Sequence, residues 1–314
     1  MNWKSFFDSL GLSGTRWQWR IMRWQKYWRE QGFTWRQQRG QVTYQNKFCA
    51  CGALLDKDER TCPHCGARAP SWRAQVLRRA VGLVVPSAVA VSTTLLVVNS
   101  GFFLLVLAID GARALVAPNL DLLAGLGGMV PRFVTRGGYL LLITYGYLHL
   151  GLLHFGFNML VLSQVGPILE QEIGKARFFT LFTLAIVGGG LARYWMSDPM
   201  AMFVLVGASG GLFGLIGFGV SYAHATGGHA AQEMRNFFGR WAIYGFLFGF
   251  LVGADNVAHL GGFVVGLLLG VLVERERADR DRYTPYWGYA AGLCLLATLS
   301  GFGWVIWQRV AQGG

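Results

Sequence analysis

Three groups of residues in this chain have the types and spacing to do chemistry. The first is Ser209, set in the run Gly207-Ala208-Ser209-Gly210-Gly211. Glycines on both sides permit a tight turn and leave the hydroxyl exposed at a helix mouth. A serine is a weak nucleophile until a neighbouring base takes its proton. The second group supplies that base: His259, in NVAHLGGFVVGLLLG, is followed by Gly262, Gly266 and Gly270 at four-residue spacing. Such a strip lets one membrane helix pack closely on another and would bring His259 towards Ser209. The third group is His149, His154 and Asn158, in the pattern HxxxxHxxxN. His154 and Asn158 share a helix face and could aim donors at one developing oxyanion. No acidic third member stands in an obvious position, so a Ser–His dyad is the simplest arrangement. Each residue also has a plainer role. Ser209 could be a helix-packing serine, His259 a hydrogen-bonded interior histidine, and Asn158 a bond to a neighbouring helix. Their joint occurrence inside apolar segments, where polar groups are costly, favours the chemical role.

These groups need elements to hold them, and the composition says which kind. Of the 314 residues, 53% are hydrophobic and only 14% charged, against about 25% charged in a soluble domain. Lipid is therefore the expected solvent for much of the chain. Most of the +12 net charge falls in residues 1–80. The opening MNWKSFFDSLGLSG lacks the apolar run of a cleavable signal peptide, so the first membrane helix is expected to direct its own insertion. Apolar windows predict seven spans at roughly 82–108, 139–165, 176–197, 205–225, 237–253, 256–273 and 287–308. The connection 110–138, with Pro118 and Pro131, is too broken to span and belongs at the interface. The Arg-rich start places the N-terminus in the cytoplasm, and alternation then puts most other basic loops on that side. Ser209, His259, His149, His154 and Asn158 all fall at a similar shallow depth below the outer face. Glu170 and Glu172 fall at the inner end of the second span, where interfacial cations would meet them. Asp255 and Asn256 read as caps of the sixth helix.

The motifs HxxxxHxxxN, GxSG and AHxxGxxxG, in this order on separate spans, resemble the rhomboid intramembrane proteases over roughly residues 80–275. The resemblance implies an all-α polytopic membrane protein, with a six-helix core plus one C-terminal transmembrane helix. It implies that Ser209 is the nucleophile and His259 the general base. His154, Asn158 and the Ser209 backbone N–H would line the oxyanion hole. His149 would tie the first loop to the core. Gly207 lies beside the nucleophile, and Phe213, where many bacterial members have tyrosine, would stack on the histidine. The Trp-Arg pair that many members carry before the second span is absent; the region reads GGYLLLITYGYLH, with Tyr139 and Leu141.

Ahead of the membrane part, KFCACGALLDKDERTCPHCGARAP resembles a short zinc ribbon. Cys49, Cys51, Cys62 and Cys65 would hold a structural zinc ion tetrahedrally, with His64 an alternative ligand because Cys49 and Cys51 are only two positions apart. Unmetallated thiols are the plain alternative. Upstream, Trp17, Ile21, Trp24 and Trp28 recur at helical spacing among Arg16, Arg20, Arg23 and Lys26. That stripe suits an anionic membrane surface or packing on the ribbon better than nucleic acid.

The expected organisation is a basic Trp-rich segment (1–45), a ribbon (46–72), a membrane protease domain (80–275) and an additional C-terminal helix (284–314). The expected activity is hydrolysis of peptide bonds in or near transmembrane helices of other membrane proteins. It would occur in a bacterial cytoplasmic membrane, with the site open to the outer side. No cofactor is expected for catalysis, and a cytoplasmic protein partner would use the ribbon. Two rivals come from other classes. A noncatalytic rhomboid-like protein binding membrane helices would typically lack the serine or the histidine. A transporter would carry its polar groups at the midplane or on both sides.

Overall fold

The computed structural model describes residues 47–48, 54–55, 61–62, 66, 90–276 and 280–311. The chain divides into two compact units, Met1–Val81 and Gly82–Gly314.

In the first unit, Lys47–Phe48 (β1) pairs antiparallel with Leu54–Leu55 (β2), Lys47 opposite Leu55 and Phe48 opposite Leu54. Cys62 is buried, and its carbonyl accepts the Gly66 N–H at 2.9 Å. Gly66 has φ +70°, the left-handed conformation that closes this turn at no steric cost to glycine. Cys49, Cys51 and Cys65, the alternative ligand His64 and the Trp-rich segment lie outside the described residues.

The second unit is helical. Its long helices are α1 (Ala90–Asp110), α5 (Gly151–Ile173), α6 (Lys175–Trp195), α7 (Ser209–Thr226), α8 (His229–Val252), α9 (Asn256–Arg275) and α10 (Arg280–Ala311). Between α1 and α5 lie the short helices α2 (Leu120–Gly125), α3 (Pro131–Thr135) and α4 (Leu141–Thr144), with 3-10 turns at Gly111–Leu115 and Tyr145–Tyr147. Five helical segments among the described residues are long and apolar enough to cross a bilayer: Ala90–Leu115, Gly151–Ile173, Lys175–Trp195, Asn256–Arg275 and Arg282–Ala311. Two of the expected spans, now α7 and α8, fall short for physical reasons. Helix α7 contains five glycines and is buried along most of its length, so its surroundings are other helices and not lipid. Helix α8 opens with the polar run HAAQEMRN.

Helix α7 is the centre of the unit, and α9 lies against it along its length. The glycine strip makes that possible. A Cβ on Gly262 would come 2.0 Å from the Gly210 carbonyl oxygen, and one on Gly266 would come 1.9 Å from that of Gly214. At Gly270 the Ser221 hydroxyl would be 2.1 Å away. No Cβ tolerates such distances, so only glycine allows this backbone-to-backbone approach.

Two sequence expectations are corrected. The span expected at 139–165 is not one helix. The chain leaves the 3-10 turn with Leu148 extended, turns at Gly151 with φ +87°, and only then starts α5, which runs to Ile173. His149 therefore precedes the helix that carries His154 and Asn158. Glu170 does not meet interfacial cations. It is buried and accepts from Val91 N at 2.8 Å, Ser92 N at 2.7 Å and Ser92 Oγ at 2.7 Å. A carboxylate from α5 thus accepts two backbone donors and a hydroxyl of α1. Glu172 accepts from the Tyr222 hydroxyl at 3.1 Å.

The 110–138 connection is broken into short helices, as its prolines foretold, and is tied down without a Trp-Arg pair. Met129 and Leu205 exchange backbone bonds of 3.0 and 2.8 Å, and Thr144 Oγ1 donates to the Gly127 carbonyl at 2.7 Å. Leu123 and Met129 of this connection are fully buried. Helix α10 adds a clamp: Phe302 stacks on Phe102 with centroids 4.6 Å apart, and Arg309 Nε donates to the Gly125 carbonyl at 2.9 Å.

Candidate active site

Ser209 is the first residue of α7. At that position its N–H has no intrahelical acceptor and faces outward along the axis. The preceding segment is held on both sides: Leu205 pairs with Met129, and Gly207 N–H donates to the Tyr145 carbonyl at 3.0 Å. Gly207 sits at φ +130°. A Cβ there would lie 2.8 Å from His154 Nε2 and 3.5 Å from Ser209 Oγ. The imidazole and the hydroxyl therefore converge on the bare face of this glycine. Ser209 is partly exposed while Val206, Gly207, Ala208 and Gly210 are buried.

The hydrogen bonds assign the histidine tautomers. His154 Nδ1 accepts from Leu150 N–H at 3.2 Å. A neutral imidazole has one donor and one acceptor, so Nε2 carries the proton and points a donor at Gly207 and Ser209. His259, in α9, makes the opposite choice. Its Nδ1 is 3.0 Å from Asn256 Oδ1. An amide oxygen can only accept, so Nδ1 is the donor and Nε2 is left with its lone pair. Phe213 stacks on the His259 ring at 4.3 Å and 16°, and Phe246 meets it edge-on at 6.4 Å. The ring is thus fixed in plane and in tautomer, with Nε2 unprotonated.

Asn158 is buried, and its Nδ2 donates to the His154 carbonyl at 2.8 Å. Its Oδ1 has no protein partner among the described residues. His149 is also buried, and neither ring nitrogen has a protein hydrogen-bond partner among the described residues. It packs edge-on against His154 and Phe155, each at 5.4 Å, so its contact with the core is through its ring. Ser209 and His259 share no hydrogen bond among the described residues. Catalytic bonds are often loose before substrate binds, and the two helices touch at Gly210, the residue after Ser209, and Gly262, one turn after His259.

The sequence had marked Asn256 only as a cap. In fact Asp255 caps α9, accepting from Ala258 N at 3.0 Å, and pairs with Arg193 of α6. Asn256 is thereby released to orient His259. The two are three residues apart on a helix, which places them on one face, and that spacing was the available signal. Asn256 fits because α8 has no side chain opposite it: a Cβ on Gly249 would lie 2.4 Å from Asn256 Oδ1.

The Rhomboid domain family pattern matches residues 136–276, the stretch that holds every group above. RHOMBOID-like protein 5 of Arabidopsis thaliana is 34% identical over 175 residues, 51% of this chain and 52% of that protein. The putative rhomboid protease YdcA of Bacillus subtilis is 31% identical over 148 residues, 47% of this chain and 73% of that protein. The Rhomboid protease GluP of the same organism is 27% identical over 161 residues, 51% of this chain and 31% of that protein. The matched stretch spans about half the length of the Arabidopsis relatives, which are 52% and 51% covered. With five helical segments fit to cross a bilayer, these matches describe an integral multi-pass membrane protein. The chain belongs to the rhomboid family.

Proposed function

We propose that this chain is an intramembrane serine endopeptidase that cuts transmembrane helices of other membrane proteins through Ser209 and His259. The observation that carries the proposal is the convergence at Gly207, where the His154 Nε2 donor and the Ser209 hydroxyl meet on one side-chain-free face. In this scheme His259 Nε2 takes the proton from Ser209 Oγ as the oxygen attacks the scissile carbonyl. The developing oxyanion is met by His154 Nε2–H, by the Ser209 backbone N–H and by the second amide proton of Asn158. His259 returns its proton to the leaving amine. A water molecule then hydrolyses the acyl-enzyme, with His259 again the base. The substrate helix must unwind locally, so small or helix-weakening residues near the cut favour turnover. With the N-terminus cytoplasmic, as the basic residues suggest, the site opens to the outer side of a bacterial cytoplasmic membrane.

The test is cleavage of single-span substrates by the purified chain in detergent, beside Ser209→Ala and His259→Ala. Loss of cutting in both variants, with the fold intact, supports the dyad. If the variants still cut, the assignment is wrong. If wild type and variants are equally inert across several substrates, the chain is a helix-binding member of its family.

We further propose that Cys49, Cys51, Cys62 and Cys65 hold a structural zinc ion that organises residues 46–72 as a binding module for a cytoplasmic protein. The buried Cys62 and the Gly66 turn closed on its carbonyl suit a metal knuckle. One zinc per chain by elemental analysis, lost in Cys62→Ser, is the expected result; a metal-free wild type sinks it.

A further inference from the structure

Behind the site sits a residue that the scheme above does not use. Tyr145 is buried, and its hydroxyl donates to the Ile186 carbonyl of α6 at 2.7 Å. The same hydroxyl would lie 3.1 Å from a Cβ on Gly210, the residue after Ser209. It would lie equally 3.1 Å from a Cβ on Gly189, whose other neighbour at 2.7 Å is the carbonyl of Ala258, the residue before His259. On the opposite side of the serine, the Tyr145 backbone carbonyl holds Gly207 N–H at 3.0 Å. One residue thus touches the chain on both sides of Ser209 and reaches the place where α6 meets the His259 helix. Two glycines leave room for its hydroxyl.

We propose that Tyr145 is a positioning residue, whose phenol fixes the separation of the Ser209 and His259 helix ends. The proposal rests on the Ser209–His259 scheme. Because the hydroxyl is anchored on α6, it sets the spacing of α7 and α9 from a third, independent helix. A phenylalanine keeps the ring but releases the anchor. The helix ends then drift by a fraction of an ångström, which proximity effects convert into rate. A tyrosine that merely filled space would show no such effect.

The experiment compares wild type, Tyr145→Phe and Tyr147→Phe in detergent. Tyr147 is equally buried two residues on, and its ring packs against Phe102 and Phe302, away from Ser209. Four quantities are read: the labelling rate of Ser209 by a fluorophosphonate probe, kcat and KM on a single-span substrate, and the melting midpoint. For Tyr145→Phe the labelling rate and kcat should fall about tenfold with KM unchanged. Tyr147→Phe should keep both rates even if it melts as early. Equal loss in the two variants, or no loss in Tyr145→Phe while wild-type Ser209 labels, overturns the positioning role alone. Absence of labelling in the wild type overturns the Ser209 scheme and this proposal with it.

Discussion

Replacing Asn256 with alanine tests the least expected contact of the site. Its Oδ1 lies 3.0 Å from His259 Nδ1 and is the one side-chain acceptor there among the described residues. A hydrogen bond of this kind contributes about 1 kcal/mol net. If the whole contribution is felt in the transition state, removal slows the reaction about fivefold. The loss stays that small because Phe213 remains stacked on the ring at 4.3 Å, and an aromatic pair contributes about as much again. Gly249→Ala provides an independent way to break the same contact, since its Cβ would fall 2.4 Å from Asn256 Oδ1 and push the amide aside. The two substitutions should therefore be non-additive: once either is made, the other costs little. The assay is the second-order rate of Ser209 labelling by a fluorophosphonate, with kcat/KM on a single-span substrate as a check. Full additivity would refute the reasoning, because the two residues would then act separately. A loss of about a thousandfold in Asn256→Ala would also refute it, because an orienting bond of this strength cannot supply so much.

Three other changes follow from the same geometry. Gly207→Ala places a Cβ 2.8 Å from His154 Nε2 on a backbone at φ +130°, so labelling should be abolished while the melting midpoint falls only modestly. Gly266→Ala drives a Cβ to 1.9 Å from the Gly214 carbonyl; forcing α9 from α7 should cost about 1–3 kcal/mol and appear as a lower melting midpoint together with lost cleavage. Glu170→Ala removes a buried acceptor shared by Val91 N, Ser92 N and Ser92 Oγ, far from Ser209, at about 1–3 kcal/mol in all. It should lower the midpoint and leave the labelling rate of the folded fraction unchanged.

The candidate groups Ser209, His259, His154 and Asn158 stood out in the sequence because they are polar residues at fixed spacing in apolar surroundings, where few other roles exist. The glycine strip of α9 was legible for the same reason: a four-residue period of glycines has a packing meaning. Other features were hidden by the averaging that finds spans. A hydropathy window joined 139–165 into one helix because Leu148, Leu150 and their neighbours are apolar. Yet the chain breaks there, with Leu148 extended and Gly151 at φ +87°. A window also takes α7 for a span at 205–225, although its five glycines pack against other helices. Glu170 read as interfacial because a lone carboxylate at a span end usually is. Its partners are backbone donors 78 and 79 residues away in sequence, and no local pattern announces them.

The break at 148–151 bears directly on the chemistry. Irregular backbone at membrane depth survives only where protein or a water-lined cavity satisfies it. Here part of that satisfaction comes from the site itself: the Leu150 N–H that a continuous helix would have used internally is donated to His154 Nδ1 at 3.2 Å. That single bond fixes the tautomer that turns Nε2 towards Ser209. A continuous 139–165 helix would have bound Leu150 N–H to a backbone carbonyl four residues earlier, leaving His154 free to take the other tautomer. The local cost of breaking the helix and the tautomer that His154 needs for its proposed oxyanion role are therefore one structural event. Gly151, whose added Cβ would meet the Leu115 carbonyl at 3.1 Å, is the residue on which it turns.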